Sequence, residues 1–265
     1  MKRVFALLFF FALGLSAQQT QDTPTQPDIP NANPARPTVS TPATLPPAGY
    51  LQFETGYLAA WRAPEVSSQS SLNEVVKMAV VRHLQVLAAF EPIAHSRADG
   101  LSSNDAGDID VGVEGVIHSG EGTKPTVSLA YLRRVYGGSA PDLDISSFRN
   151  SALLLVSADV KGFHYDTNYL FNEVIAGEVH RPSFGQTLSI SHALKGKVGL
   201  TGEIWHFTQP FLRGRAIGNL WALNYNARNN LVFDAGFDRG LTSTSTHWAV
   251  FTGFTYLLPH KIHFR

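Results

Sequence analysis

The residues of this chain that could do chemistry are mostly carboxylates, and they fall on one side of an alternating pattern. Glu54, Glu91, Asp108, Asp110, Glu114, Asp166, Glu203, Asp234 and Asp238 share a parity with Lys77, Arg134 and His164. Period-two alternation means extended strands, because successive side chains point to opposite faces. Charges gathered on one face must meet water or each other, since an unpaired buried charge is costly. Two chemistries suit such a wall: a structural hydrogen-bond network, or a hydrated passage in which rings of charge set selectivity. These twelve residues are the candidate lining of a lumen. The ten histidines add no metal site or catalytic centre, because they lack an HExxH motif and any i, i+2 pair on one strand face. His164 with Asp166 makes at most a hydrogen-bonded pair. Ser191-His192 is not a nucleophile–base couple, since neighbours in a strand diverge. Gly120–Gly122 and Gly137-Gly138 do not sit between a strand and a helix, so they are turn glycines rather than a phosphate loop. No enzyme activity and no cofactor is expected.

Twelve alternating segments are needed to position that wall: Tyr50–Trp61, Leu72–Val81, Leu84–His95, Gly107–His118, Pro125–Val135, Asn150–Val160, Phe163–Glu173, Phe184–Leu194, Val198–Phe207, Ala216–Ala227, Leu231–Gly240 and His247–Leu258. Each approaches the ~9–11 residues that a tilted strand needs to cross hydrocarbon, whereas soluble strands average about five or six. The opposite parity is apolar, with Tyr57, Trp61, Tyr131, Tyr165, Trp221, Tyr225, Trp248 and Tyr256 placed as interfacial girdles would be. Outward polar residues such as Glu74, Arg133, Glu173 and Arg239 fall near strand ends, where charge is tolerated in a bilayer. Connections alternate between tight (Arg82-His83, Lys161-Gly162) and long (Arg62–Ser71, Ser96–Ala106, Val174–Ser183), the rhythm of short periplasmic turns and longer external loops. The expected fold class is all-β, a transmembrane antiparallel up-and-down barrel of about 12 strands, its last strand closing on Tyr50–Trp61.

Composition agrees with that class. Formal net charge is zero, only 16% of residues are charged and there is no cysteine, so nucleic acid is not an expected partner and neither disulfides nor thiolate metal sites can form. Met1-Lys2-Arg3, the apolar run Val4–Leu15 and Ser16-Ala17 form a secretory signal peptide over residues 1–17. Residues 18–48, rich in proline, threonine and glutamine, read as a disordered periplasmic spacer. Residues 49–265 form the barrel, which places the protein in the bacterial outer membrane with lipid around it.

Several short glycine-aromatic signals have a familiar arrangement: Gly107-Asp108-Ile109 opening a strand, Lys124-Pro125 before another, Gly218 through Tyr225, Asp234-x-Gly236-x-Asp238-x-Gly240, and Gly253-Phe254-Thr255-Tyr256. In these the chain resembles the outer-membrane barrels named for the phenol-degradation meta-pathway, often described as transporters. The resemblance spans about Gly49 to Leu258. It departs at Val135-Tyr136-Gly137-Gly138, where a Leu-Pro-Thr-Gly-like end is expected, and at the C-terminus, which continues past the last strand to Phe264 and Arg265. It implies an envelope channel, for hydrophobic or aromatic compounds among others. The functional expectation is passive passage of a small solute. The alternative is a closed structural or adhesion barrel that acts through its external loops. Twelve strands lie between small side-chain-filled barrels and open porins, so the sequence leaves the openness of the lumen undecided.

Overall fold

The computed structural model describes residues 29–262, apart from 122, 142 and 144–147. The expected signal peptide and residues 18–28 therefore lie outside the described residues. The described residues form thirteen strands: β1 Leu51–Trp61, β2 Ser68–Val81, β3 Leu84–Ala98, β4 Leu101–Asp105, β5 Ile109–His118, β6 Thr126–Tyr136, β7 Phe148–Val160, β8 Phe163–Ala176, β9 Val179–Lys195, β10 Val198–Gln209, β11 Gly214–Arg228, β12 Leu231–Gly240 and β13 Trp248–Leu257. Twelve of them are antiparallel staves of one closed barrel. β4 is an addition that pairs only with the far end of β3. Closure runs where it was expected, β13 against β1 from Gln52↔Leu257 to Trp61↔Trp248.

The barrel wall is inside-out by the standard of a soluble protein. Outward Val113, Leu129, Trp221 and Val250 are 44–51% exposed, while inward Gln52, Ser128, Thr201 and Thr255 are at most 1% exposed. Apolar surface left open in this way all round a closed sheet requires a hydrocarbon solvent, and the closed sheet leaves no strand edge unpaired in it. Outward Glu173 sits near the external end of β8, where the bilayer cost is low. Outward Glu74, expected near a strand end, instead stands midway along β2 and accepts from Thr55 Oγ1 of β1 at 2.6 Å. At the long-loop end Tyr131 donates to Asn150, whose amide reaches Glu173, and His180 Nδ1 lies 2.7 Å from the same carboxylate.

Several strands run further than their hydrophobic pattern suggested. β8 and β9 continue to Ala176 and Val179 around a turn with Gly177 at φ 59°, so most of the expected loop Val174–Ser183 is strand. The expected loop Ser96–Ala106 holds β4, folded back on β3 through Asp99 (φ 49°) and Gly100 (φ 79°). Two positive φ values at an Asp-Gly pair make the tight turn whose twist suits a hairpin. Alternation fades in these extensions because both faces there meet water, so the pattern marks the membrane-crossing part and not the whole strand. Within β3 the register against β2 slips between Leu72↔Ile93 and Glu74↔Phe90. Pro92 lies in this irregularity, where its missing N–H costs the ladder least.

The part of residues 18–48 that is described departs from the disordered spacer of the sequence reading. Residues 32–44 run inside the barrel. Ala43 and Ser40 are fully buried, Ala43 packs with Ala130, Leu153 and Leu155, and Val39 packs against Trp205, Phe207 and Ala216. The segment is polar and proline-rich and could not order itself alone. It orders here because the wall supplies partners for its main chain.

Candidate functional site

This inner segment enters at the short-turn end, where the Ala32 N–H donates to the Asn229 carbonyl at 2.8 Å. It then crosses the lumen, and wall side chains take its N–H groups in succession. Asn33 N–H donates to Gln52 Oε1 at 2.9 Å and Ala35 N–H to Glu54 Oε1 at 3.1 Å, both on β1. On the opposite wall Val39 and Ser40 N–H each donate to the Glu203 carboxylate at 2.7 Å, and the Ser40 hydroxyl adds a bond at 2.6 Å. Thr41 N–H donates to Asn168 Oδ1 at 2.6 Å, and the Asn168 amide returns a bond to the Thr41 carbonyl at 2.9 Å. Ala43 N–H donates to Ser157 Oγ at 2.7 Å, and Ser128 Oγ to the Ala43 carbonyl at 2.5 Å. The chain then returns toward its entry, the Asn33 amide donating to the Thr44 carbonyl at 2.6 Å. Bonds to ionised acceptors are roughly twice as strong as neutral ones, so Glu54 and Glu203 are the firmest of these holds.

One side chain of the segment has a purpose-shaped seat. The Arg36 guanidinium meets Asp234 with two bonds, Nε to Oδ2 at 3.2 Å and Nη2 to Oδ1 at 3.0 Å. Beneath it lie Gly56 and Gly253, directly opposed across β1 and β13, and Gly253 is in turn opposite Asp234 on β12. A Cβ at Gly56 would stand 1.9 Å from Arg36 Nη1, and one at Gly253 2.7 Å from Nε. The two glycines therefore form a floor without side chains, on which the planar cation rests against the backbone. Asp234 is 3% exposed and Arg36 19%.

The twelve residues named from sequence divide into two sets. Glu54, Glu203 and Asp234 hold the inner segment directly. Asp166 supports it at one remove, accepting from Ser157 at 2.5 Å. The rest are tied to one another or to the wall. Lys77 Nζ lies 2.6 Å from Glu54, both nearly fully buried. Gln85 donates to Glu114 at 2.5 Å. Arg134 pairs with Asp108 and lies 3.8 Å from Asp110, while Asp108 also accepts from Gly138 N–H. The Glu91 side chain lies over Gly107, beside this group. His164 bridges Asp166 at 3.2 Å and the exposed Asp159 at 2.8 Å. Asp238 accepts from Trp205 Nε1 at 2.9 Å. Arg181, near the start of β9, donates to the Pro210 carbonyl and lies over the Phe211 ring, and leaves the acidic wall to these pairs.

Sequence reasoning missed Arg36, Ser40, Gln52, Ser157 and Asn168. The last three lie on the inward parity but carry no charge, so a search for titratable groups passed them by. A signal did exist for Arg36: it is the only basic residue between 18 and 48, and the wall has more acids than its own strands can pair.

No family model matches the chain, and no curated protein matches it in sequence. The meta-pathway resemblance thus gains no support from sequence comparison. Solved structures do match. An outer membrane channel from Pseudomonas putida F1 superposes with a TM-score of 0.58 at 11% identity, covering 82% of this chain and 98% of that one. The KdgM porin gives 0.51 at 10% identity, with 77% and 98% covered. The NanC porin gives 0.52 at 12%, with 78% and 98% covered. At such identities the likeness is one of fold: this chain has the architecture of outer-membrane barrels.

Proposed function

We propose that this protein is a bacterial outer-membrane channel, exported by a signal peptide at residues 1–17, through which a small solute passes when the inner segment yields. The observation that carries the reading is how the lumen is filled. A barrel built only as a scaffold fills its interior with its own side chains. Here much of the inward wall is Ser, Thr, Gln and Asn, and a separate stretch of polypeptide occupies the space they leave. That stretch is held by hydrogen bonds to its main chain, which water can replace one at a time. The likeness to channels and porins supports the same reading. The acidic wall favours a neutral or cationic solute. An aromatic compound, as the meta-pathway resemblance implies, would find Trp205 and Phe207 on the lumenal side of β10.

The test is conductance of the purified full-length protein in planar bilayers. Discrete, cation-preferring current steps are expected. A barrel that is folded, as judged by heat-modifiable mobility, yet electrically silent under all applied voltages would overturn the channel reading in favour of a closed barrel that works through its loops.

A further inference from the structure

We infer that the slot formed by Asp234, Gly56 and Gly253 is a binding site for the guanidinium group of a solute, which Arg36 fills in the resting barrel. The inference deepens the channel reading and rests on it for its meaning, though the site itself can be tested without any current. Three features make the slot more than a convenient ion pair. The carboxylate is presented side-on, so both of its oxygens are used, which matches the planar fork of a guanidinium and not the point charge of an ammonium. The floor is two directly opposed glycines, and any side chain at Gly56 would invade the space the cation occupies. Asp234 is almost wholly buried, so with Arg36 withdrawn it becomes an uncompensated charge facing the lumen. Such a group recruits a replacement cation of the same shape.

The neighbouring acceptors extend the fit. Glu54, Glu203, Gln52 and Asn168, which hold the segment's N–H groups, would face a solute once the segment has left. A compound with a guanidinium at one end and further N–H donors along its length reproduces what the segment offers. The solute class is therefore guanidinium-bearing amines and amino acids. Arg36 competes from the same chain at an effective concentration of about millimolar, so entry is expected only where solute is abundant.

The probe is agmatine, with putrescine as a diamine lacking the guanidinium. Titration calorimetry in detergent with the Arg36→Ala protein should show agmatine binding at least tenfold tighter than to the wild type and tenfold tighter than putrescine. The binding should vanish in the Arg36→Ala/Asp234→Asn double variant. Equal affinity for the two amines would reduce the slot to a generic cation site and overturn the proposal, as would no agmatine binding to folded Arg36→Ala protein. Should Arg36→Ala not fold, the wild-type background serves instead. The chain has no cysteine, so Thr38→Cys is a clean reporter of the segment. Its labelling by a water-soluble thiol reagent should accelerate several-fold in agmatine and not in putrescine of equal ionic strength. Unchanged labelling would refute displacement of Arg36. Agmatine binding without any bilayer current would leave the slot standing and defeat the channel reading alone.

Discussion

Among the holds on the main chain of the inner segment, the strongest are carboxylates that accept its N–H groups. Glu203 takes three bonds from two consecutive residues, Val39 and Ser40. A hydrogen bond to a charged acceptor contributes about 1.5–3 kcal/mol, so Glu203→Gln should weaken the segment's attachment by about 2 kcal/mol. Labelling of a Thr38→Cys reporter should then rise by roughly tenfold or more, at about 1.4 kcal/mol per decade, with the barrel intact. Lys77 plays a different part. Its ammonium neutralises Glu54 where both are buried, and removing one partner of such a pair costs about 3–5 kcal/mol. Lys77→Met is therefore expected to lower the urea midpoint of unfolding sharply, and Lys77→Met with Glu54→Gln to restore most of it. A midpoint unmoved by the single change would mean that water reaches Glu54.

Among the strands, burial by parity tells which changes the wall tolerates. Val113 stands mid-strand on the outward face of β5. Arginine there should cost about 2–4 kcal/mol at the bilayer midplane, read as a lower temperature for loss of the compact gel band. The same substitution at Tyr136, on the external end of β6, should cost about 1 kcal/mol or less. This depth dependence is also why the strands were legible in sequence while their ends were not. From Leu231 to Gly240 the apolar–polar alternation covers the whole of β12, and the boundaries coincide. In β9 it starts at Phe184, yet the strand begins at Val179, because Val179–Ser183 lies beyond the bilayer and no lipid demands a pattern there. The inner segment was illegible for a related reason. Main-chain N–H groups carry no sequence signature, so a stretch bound through them reads as spacer. Only Arg36, a lone cation opposite an acidic wall, pointed inward.

At the scale of the whole molecule, closure of β13 on β1 leaves no free edge in the barrel, and the fold is one cooperative ring. Unheated protein in dodecyl sulfate should run as a compact band, and boiled protein at its full mass of 28.9 kDa less any cleaved leader. One band at both temperatures would contradict a closed barrel. Opening the lumen should not break this ring, since the hydrogen bonds that residues 33–43 make to the wall go to inward side chains and take none from the strand ladder. Gly56→Val tests that separation. Its side chain would enter the space of the Arg36 guanidinium, so bilayer currents should grow several-fold while the gel shift persists.

The main-chain grip on residues 33, 35, 39, 41 and 43 has a consequence for how such a protein can change over time. Glu54, Glu203 and Ser157 read the main chain at Ala35, Val39 and Ala43. The half-buried positions of this short stretch can therefore be rewritten without refitting the staves around it, while Val39 against Trp205 and the fully buried Ala43 keep their size. Selectivity and tightness of closure then become properties of a cartridge a dozen residues long, adjustable by point substitutions that the folding of the barrel scarcely registers.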